Sequence, residues 1–228
     1  MYLSISASSP FLNNKLTKHH SQRWIQFPKT PKKVPFFNNH ENYIKWIDDN
    51  IQKGNMQNIR HFWSSIRPNG PQRPHVLDRL ELRICDYISD IELLLAITAL
   101  LELRVIYLFE NLKTLDPLNT SKFSMDQLTK ICDQNEIKAA RMSLDAELTH
   151  WRDGKKMICR EWIKNVLDDL FLTAEKLNMV HLLKPIYKVL EEGNQSMKWI
   201  KQYKEGLSIE DIMKCAVQDM IRSEEERI

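Results

Sequence analysis

The chain has 228 residues, 43% of them hydrophobic and 28% charged. That is enough apolar material for a sizeable core, and it excludes bulk disorder. A formal net charge of +3 is too small to imply a nucleic-acid-binding protein by itself. The charge is unevenly spread. The first acidic residue is Glu41, and six cations precede it: Lys15, Lys18, Arg23, Lys29, Lys32 and Lys33. The remainder carries 27 Lys and Arg against all 30 Asp and Glu, a net −3. Cys85, Cys132, Cys159 and Cys215 lie far apart with no CxxC pair, so neither a zinc site nor a disulfide framework is indicated, and reduced thiols fit a cytoplasmic protein. The apolar run from Ile91 to Leu101 is broken by Glu92 and Glu102, so no membrane span is expected. Met1 to Pro10 lacks the charged n-region of a signal peptide, and the Lys-rich, Pro-interrupted start is a poor transit peptide.

Taken in chain order, Tyr2–Ser6 is apolar and structured-looking from the first residue. In residues 10–39, Pro28, Pro31 and Pro35 forbid a continuous helix, and an irregular extended segment is predicted. A first helix is predicted over Glu41–Lys53, with Tyr43, Ile44, Ile47 and Ile51 as its stripe and Gly54 as its stop. Two strands follow, His61–Arg67 and Asp78–Cys85, joined by a loop from Pro68 to Val76. Beyond Asp86 the pattern is helical. Ser89-x-x-Glu92 reads as the capping box of a helix reaching about Lys113. Ser124-x-x-Gln127 opens a short helix and Asp133-x-x-Glu136 another, with Ile137, Ala140, Leu144 and Leu148 at helical spacing. Trp151-Arg152-Asp153-Gly154 reads as a helix end and turn. Helices over Met157–Leu177 and Leu182–Glu192 come next, Gly193 ending the second, and Ser208-x-x-Asp211 caps the last.

The fold class expected is α+β and helix-rich: two antiparallel strands followed by a helical bundle. Residues 1–86 would form a sheet region with a basic loop, and residues 87–228 a helical region. Two strands alone are not a stable sheet, so an N-terminal strand-bearing portion is expected to be missing.

The sharpest chemical signal is Arg79-Leu80-Glu81-Leu82-Arg83. Period-2 geometry puts Arg79, Glu81 and Arg83 on one face. A carboxylate between guanidinium groups can hold a cation while its neighbours hold phosphate oxygens, as phosphoryl transfer requires. On pattern alone the commoner case is a half-exposed strand with a solvated charged face. Arg67 lies on the adjacent strand and could point into the same cleft, or be a surface charge at a strand end. The basic stretch Lys15–Lys33, with Trp24 and Phe27, could stack bases, line a nucleotide phosphate pocket, or be a solvated loop. The seven histidines show no metal-ligand spacing, and no P-loop or Rossmann glycine motif occurs.

Six short motifs in order resemble a known family. Ser6-Ala7-Ser8-Ser9-Pro10-Phe11 is similar to the "SASSPF" signature of the type 2 glutamate–cysteine ligases, the bacterial carboxylate–amine ligases. Thr17, Ser21 and Arg23 resemble its T-G-x-x-S-x-R pattern, with Lys18 in place of the glycine. Phe27-Pro28 and the Tyr43 helix follow in the family's order. Trp63 with Ile66-Arg67-Pro68 resembles W-x-x-[IV]-R-P. Leu80 to Asp86 resembles the E-[VL]-R-x-x-D motif, and Ala139-Ala140-Arg141 to Ala146 resembles A-A-R-x-x-L-D-A. Arg67-Pro68-Asn69-Gly70 together with Arg79–Asp86 looks most like the cyanobacterial-type branch.

The resemblance implies a glutamine-synthetase-like catalytic fold, of which this chain would be the C-terminal half. It implies ATP and Mg as cofactors and L-glutamate and L-cysteine as substrates, the product being gamma-glutamylcysteine, the first intermediate of glutathione biosynthesis. By this analogy Glu81 is a metal ligand, Arg83 and Arg67 are catalytic, Arg23 and Arg79 contact the nucleotide, and Arg141 is structural. A homo-oligomer, or pairing with a separately encoded N-terminal half, is compatible with it. The alternative from another class is a helical module binding nucleic acid through Lys15–Lys33.

Overall fold

The computed structural model describes residues 1–22, 35–37, 39–58, 66–69 and 79–225, with 66–69 and 79 described by backbone alone. Helix α1 (Tyr2–Ser6) is a single turn whose five residues are all buried. Strands β1 (Phe11–Leu12) and β2 (Lys15–Leu16) then pair antiparallel, Phe11 opposite Leu16. This hairpin corrects the expectation of an irregular segment there. Its turn is Asn13-Asn14, both at positive φ (50° and 56°), the conformation that two-residue hairpin turns demand and that asparagine tolerates better than most residues. Phe11 anchors the hairpin by lying against Trp199 and Tyr203. Lys18, which stands where the family motif has glycine, is not among the positive-φ residues, so its backbone makes no demand for glycine.

Helix α2 (His40–Gln52) matches its predicted span within a residue. Asn39 caps it by accepting from the Asn42 amide at 2.9 Å, and Gly54 follows at φ 70°. Tyr43, Ile47 and Met56 form a small cluster beneath it. Strands β3 (Ile66–Asn69) and β4 (Arg79–Leu82) pair antiparallel. Pro68 and Asn69 therefore belong to a strand rather than to the loop; a proline is tolerated because a two-stranded sheet consists only of edges. The predicted strand residues 61–65 and the connection 70–78 lie outside the described residues.

Helix α3 (Ile91–Glu110) is capped by Asp90, whose carboxylate accepts from the Glu92 and Leu93 amides; Ser89 is not the cap. Two single turns, α4 (Leu112–Leu115) and α5 (Pro117–Thr120), follow it, the second capped by Asp116 with proline at its first position. Ser124 and Gln127 form the predicted capping box, but the helix they open, α6 (Met125–Met142), runs straight through Asp133-x-x-Glu136. One helix thus replaces two. It stops where Ser143 takes φ 52°, and a 3-10 turn covers Ser143–Asp145.

The next element contradicts the helical reading of Leu148 and the helix end read at Trp151, while the turn read there stands. Strands β5 (Glu147–Thr149) and β6 (Lys156–Ile158) form a hairpin, and Trp151-Arg152-Asp153-Gly154 is its turn, with Gly154 at φ 76°. The Asn135 side chain of α6 serves as a further strand partner. It accepts from the Thr149 amide and donates to the Thr149 carbonyl, both at 2.8 Å. Helix α7 (Cys159–Lys176) follows directly, and a 3-10 turn (Val180–Leu183) leads into α8 (Lys184–Glu192). Helix α9 (Gln195–Lys204) was not foreseen. Helix α10 (Ile209–Glu225) begins at the predicted Ser208-x-x-Asp211 pair, the Asp211 amide donating to Ser208 Oγ at 3.1 Å.

The main core joins Leu100 and Leu103 of α3, Ala139 and Ala140 of α6, Ile163, Leu167 and Leu170 of α7, and Ile186 of α8. Ile5 of α1 and Ile84 just beyond β4 enter the same cluster. Each such leucine or isoleucine side chain contributes about 1.5–3 kcal/mol by leaving water. The ends of the N-terminal segment and of β4 are thus fixed to the helical body. The architecture is helix-rich and, among the described residues, holds three two-stranded antiparallel sheets, compatible with α+β. Among the described residues, no helix is long and apolar enough to cross a membrane.

Candidate functional site

Strand β4 and the residue just after it carry Arg79, Glu81 and Arg83, singled out for chemistry. The Arg83 guanidinium lies 3.6 Å from the Glu81 carboxylate. Residues two apart on a strand share a face, so this contact is what the alternation predicts. The Arg83 side chain is only 12% exposed and that of Glu81 30%. Both are less exposed than freely solvated side chains would be. The register places Arg67 opposite Glu81 and Asn69 opposite Arg79. Positions directly opposite in an antiparallel pair lie on one face. The backbone therefore puts the Arg67, Arg79 and Glu81 positions on one face of the strand pair, with Arg83 just beyond its end. Arg23 lies outside the described residues, as do Lys29, Lys32 and Lys33 of the basic segment.

Beyond β4, Asp86 is the centre of a hydrogen-bond cluster that gathers the signature serines. The Ser8 amide (3.0 Å) and the Ser9 hydroxyl (2.7 Å) donate to Oδ2, and the Ser21 hydroxyl donates to Oδ1 at 2.8 Å. The Asp86 amide donates to Ser6 Oγ at 3.2 Å, and that hydroxyl donates in turn to the Tyr2 carbonyl at 2.9 Å. Ser8 Oγ donates to the Tyr87 carbonyl, while Ser9 Oγ accepts from the Gln22 amide at 2.7 Å. Hydrogen bonds to an ionised carboxylate are the strong class, and here they tie two separate motifs, those of Ser8-Ser9 and of Ser21, to the motif that ends in Asp86. This explains the local sequence: short hydroxyl side chains reach the carboxylate while the backbone turns around it.

The same N-terminal segment is pinned to α6. The amides of His20 and Ser21 donate to the Ala140 carbonyl at 2.8 and 3.2 Å, so the alanine motif serves as a helix-end acceptor. Deeper in, Asn194 is 1% exposed and joins three elements. Its Nδ2 donates to the Ser4 carbonyl at 2.7 Å and to Ser143 Oγ, whose hydroxyl reaches the same carbonyl at 3.1 Å. Its Oδ1 accepts from the Met197 amide at 3.0 Å and so caps α9. Burial holds the imidazole of His20 below its ordinary pKa, with Lys204 acting in the same direction and Asp145 against it. Burial likewise raises the Tyr2 hydroxyl, against the nearby Arg104 charge.

Reading the sequence found the charged strand but missed the role of Asp86, which was legible only as the last letter of a motif. It also missed Asn194, whose sole signal was a helix-capping residue after Gly193. Among the described residues, no group of three or more His, Cys, Asp and Glu side chains is arranged to hold a metal ion. Glu81 could give a Mg ion a single carboxylate ligand, and the described residues do not build a two-metal centre.

Comparison with known proteins agrees with the motifs. The model of glutamate-cysteine ligase family 2 matches residues 1–223. A Legionella pneumophila (strain Corby) protein provisionally named glutamate–cysteine ligase 2-2 is 25% identical over 226 residues, covering 97% of this chain and 57% of its own. A Gloeobacter violaceus protein provisionally named glutamate–cysteine ligase 2 is 27% identical over 214 residues (92% and 54%). One from Mycolicibacterium paratuberculosis, with the same provisional name, is 29% identical over 193 residues (84% and 48%). The chain spans about half the length of these curated relatives. With a family model spanning nearly the whole of it, and the signature serines gathered on Asp86, the chain belongs to glutamate-cysteine ligase family 2.

Proposed function

We propose that the chain is the strand-and-helix portion of an ATP-dependent carboxylate–amine ligase, joining the γ-carboxylate of glutamate to the amine of cysteine. The observation that carries this reading is the patch on β3–β4, where Glu81 and Arg83 are shielded in contact and Arg67 is in register. Family membership supplies the reaction class. In that reaction a glutamate γ-carboxylate oxygen attacks the terminal phosphorus of ATP and ADP leaves. The amine then attacks the acyl carbon and loses a proton, and phosphate departs with the carboxylate oxygen.

Both steps develop charge on phosphate oxygens, which fixed guanidinium groups stabilise without reorganising. In this reading Arg83 and Arg67 hold the transferred phosphate or the glutamate carboxylate, and Arg79 and Arg23 contact the nucleotide. Glu81 orients Arg83 and would give an oxygen ligand to Mg, which when bound neutralises phosphate charge. The strand pair would be one edge of a larger glutamine-synthetase-like sheet, residues 1–86 belonging to the sheet region and 87–228 to the helical region. Further carboxylates would come from the part of the family fold that this chain does not span. Four free cysteines accord with a cytoplasmic enzyme.

The test is ADP release from ATP and Mg, with glutamate and cysteine omitted in turn. It is run on the chain alone and on the chain joined to the part of the Legionella relative that it does not cover. Release that needs both amino acids and is lost in Glu81→Ala or Arg83→Ala supports the reading. Absence of amino-acid-dependent release in both forms overturns it.

A further inference from the structure

A cavity of about 370 Å³ is lined by residues of α1, α3, α6, β5 and α7. That volume is in the range of small-molecule sites, which are mostly apolar with a few polar groups to set orientation. The walls are apolar: Leu3, Ile84, Leu128, Leu148, Trp162 and Val166. Two polar groups among them have no hydrogen-bond or ion-pair partner. The Tyr2 hydroxyl is buried and makes no hydrogen bond, although buried hydroxyls are ordinarily paired. Arg104 of α3 lies close enough for its charge to act on that hydroxyl. Its guanidinium makes no ion pair or hydrogen bond among the described residues. Asn135 and Glu136 also line the cavity, but Asn135 is held by Thr149 and Glu136 has an interaction of its own. Neither Glu81 nor Arg83 lines it.

A guanidinium and a hydroxyl can each donate to a carboxylate, and apolar walls cover a body that carries no further charge. A neutral apolar molecule without an acceptor would leave both donors unpaired. A dianion would bring a second negative charge into a cavity that Glu136 also lines. We infer that this cavity binds an apolar monocarboxylate, with its carboxylate on Arg104 and the Tyr2 hydroxyl and its body against Leu128, Leu148 and Val166. The site is separate from the β3–β4 patch and does not rest on the ligase reading.

Titration calorimetry of the 228-residue chain tests it, with octanoate and cinnamate as probes and octanol and cinnamyl alcohol as their uncharged counterparts. At least one of the two acids binds saturably at a single site, and which of them binds assigns the site to a chain or to a ring. The matching alcohol binds at least about tenfold weaker, because the charge-assisted contact is lost. An excess of glutamate does not displace the acid. Arg104→Gln weakens the acid at least about tenfold and leaves the alcohol unchanged, and Arg104→Lys restores part of the difference. Tyr2→Phe weakens the acid severalfold without lowering the thermal midpoint of the free protein, since the hydroxyl it removes has no partner there. Glu81→Ala and Arg83→Ala leave binding unchanged. The proposal is overturned if neither acid binds, if the alcohol binds as tightly as the acid, or if Arg104→Gln or Tyr2→Phe has no effect on the acid. Displacement by glutamate, or loss of binding in Glu81→Ala or Arg83→Ala, also overturns it, by placing the ligand on the strand pair.

Discussion

Replacing Asp86 with alanine should be among the most damaging single changes outside the apolar core. Its carboxylate accepts three hydrogen bonds, from the Ser8 amide and the Ser9 and Ser21 hydroxyls, at 3.0, 2.7 and 2.8 Å. Bonds to a charged group contribute about 1.5–3 kcal/mol each, and partial exposure favours the lower end. Alanine strands all three donors, for a loss of about 3–5 kcal/mol. In a chain of this size each kcal/mol moves the thermal midpoint by about 2–4 °C, so Asp86→Ala should melt roughly 6–20 °C lower. Asp86→Asn is the informative comparison. The Ser8 amide can only donate, so the asparagine oxygen must take the Oδ2 place and its NH2 group faces Ser21. That hydroxyl can rotate and accept. All three contacts then survive without charge assistance, at a cost of about 1–2 kcal/mol. Urea and thermal unfolding of the two variants provide the assay. An alanine variant within about 1 kcal/mol of the parent, or an asparagine variant as damaged as alanine, would refute the reasoning.

Other expected outcomes follow from separate parts of the molecule. Asn194→Ala removes the α9 cap and the donor to the Ser4 carbonyl, and urea unfolding should show a loss of about 2–4 kcal/mol. Gly154→Ala must hold φ 76° and would set its new methyl 2.8 Å from Phe123, so a loss of about 1–3 kcal/mol is expected by the same assay. His19, His20 and His150 are all depressed in pKa, chiefly by burial. Below their ordinary value the unfolded chain therefore binds protons that the folded chain does not. Stability should be full above about pH 6.5 and decline as the pH falls from there towards the folded values. Thermal midpoints between pH 5 and 8 check the sign, and His20→Gln should flatten the slope; a midpoint that rises on acidification would contradict it.

Local features of the fold were legible where the signal was local. The α2 stripe, the Ser124–Gln127 capping box and the Ser208–Asp211 pair each involve residues within one or two turns, and each stands where the sequence puts it. Asp133-x-x-Glu136 misled because an i, i+3 acidic pair inside a helix has the same spelling as a capping box. The β5–β6 hairpin was invisible because Leu144 and Leu148 also fit helical spacing. What decides against a helix is the positive φ of Ser143 and the side chain of Asn135 fourteen residues upstream of Thr149. The alternation Arg79, Glu81, Arg83 was readable as one strand face, but not the shielding of Arg83, which depends on what packs over it. The Asp86 cluster was out of reach for the same reason, since its bonds span 65 to 80 residues of sequence.

The central claim is that this family member takes part in activating a carboxylate by phosphorylation. Glutamate labelled with heavy oxygen in its γ-carboxylate tests that directly, in the chain joined to the uncovered part of the Legionella relative, with ATP, Mg and cysteine. The account predicts that the phosphate released carries one labelled oxygen for each peptide bond formed, and that Arg83→Ala suppresses both together. Phosphate free of label, alongside product formation, would contradict it.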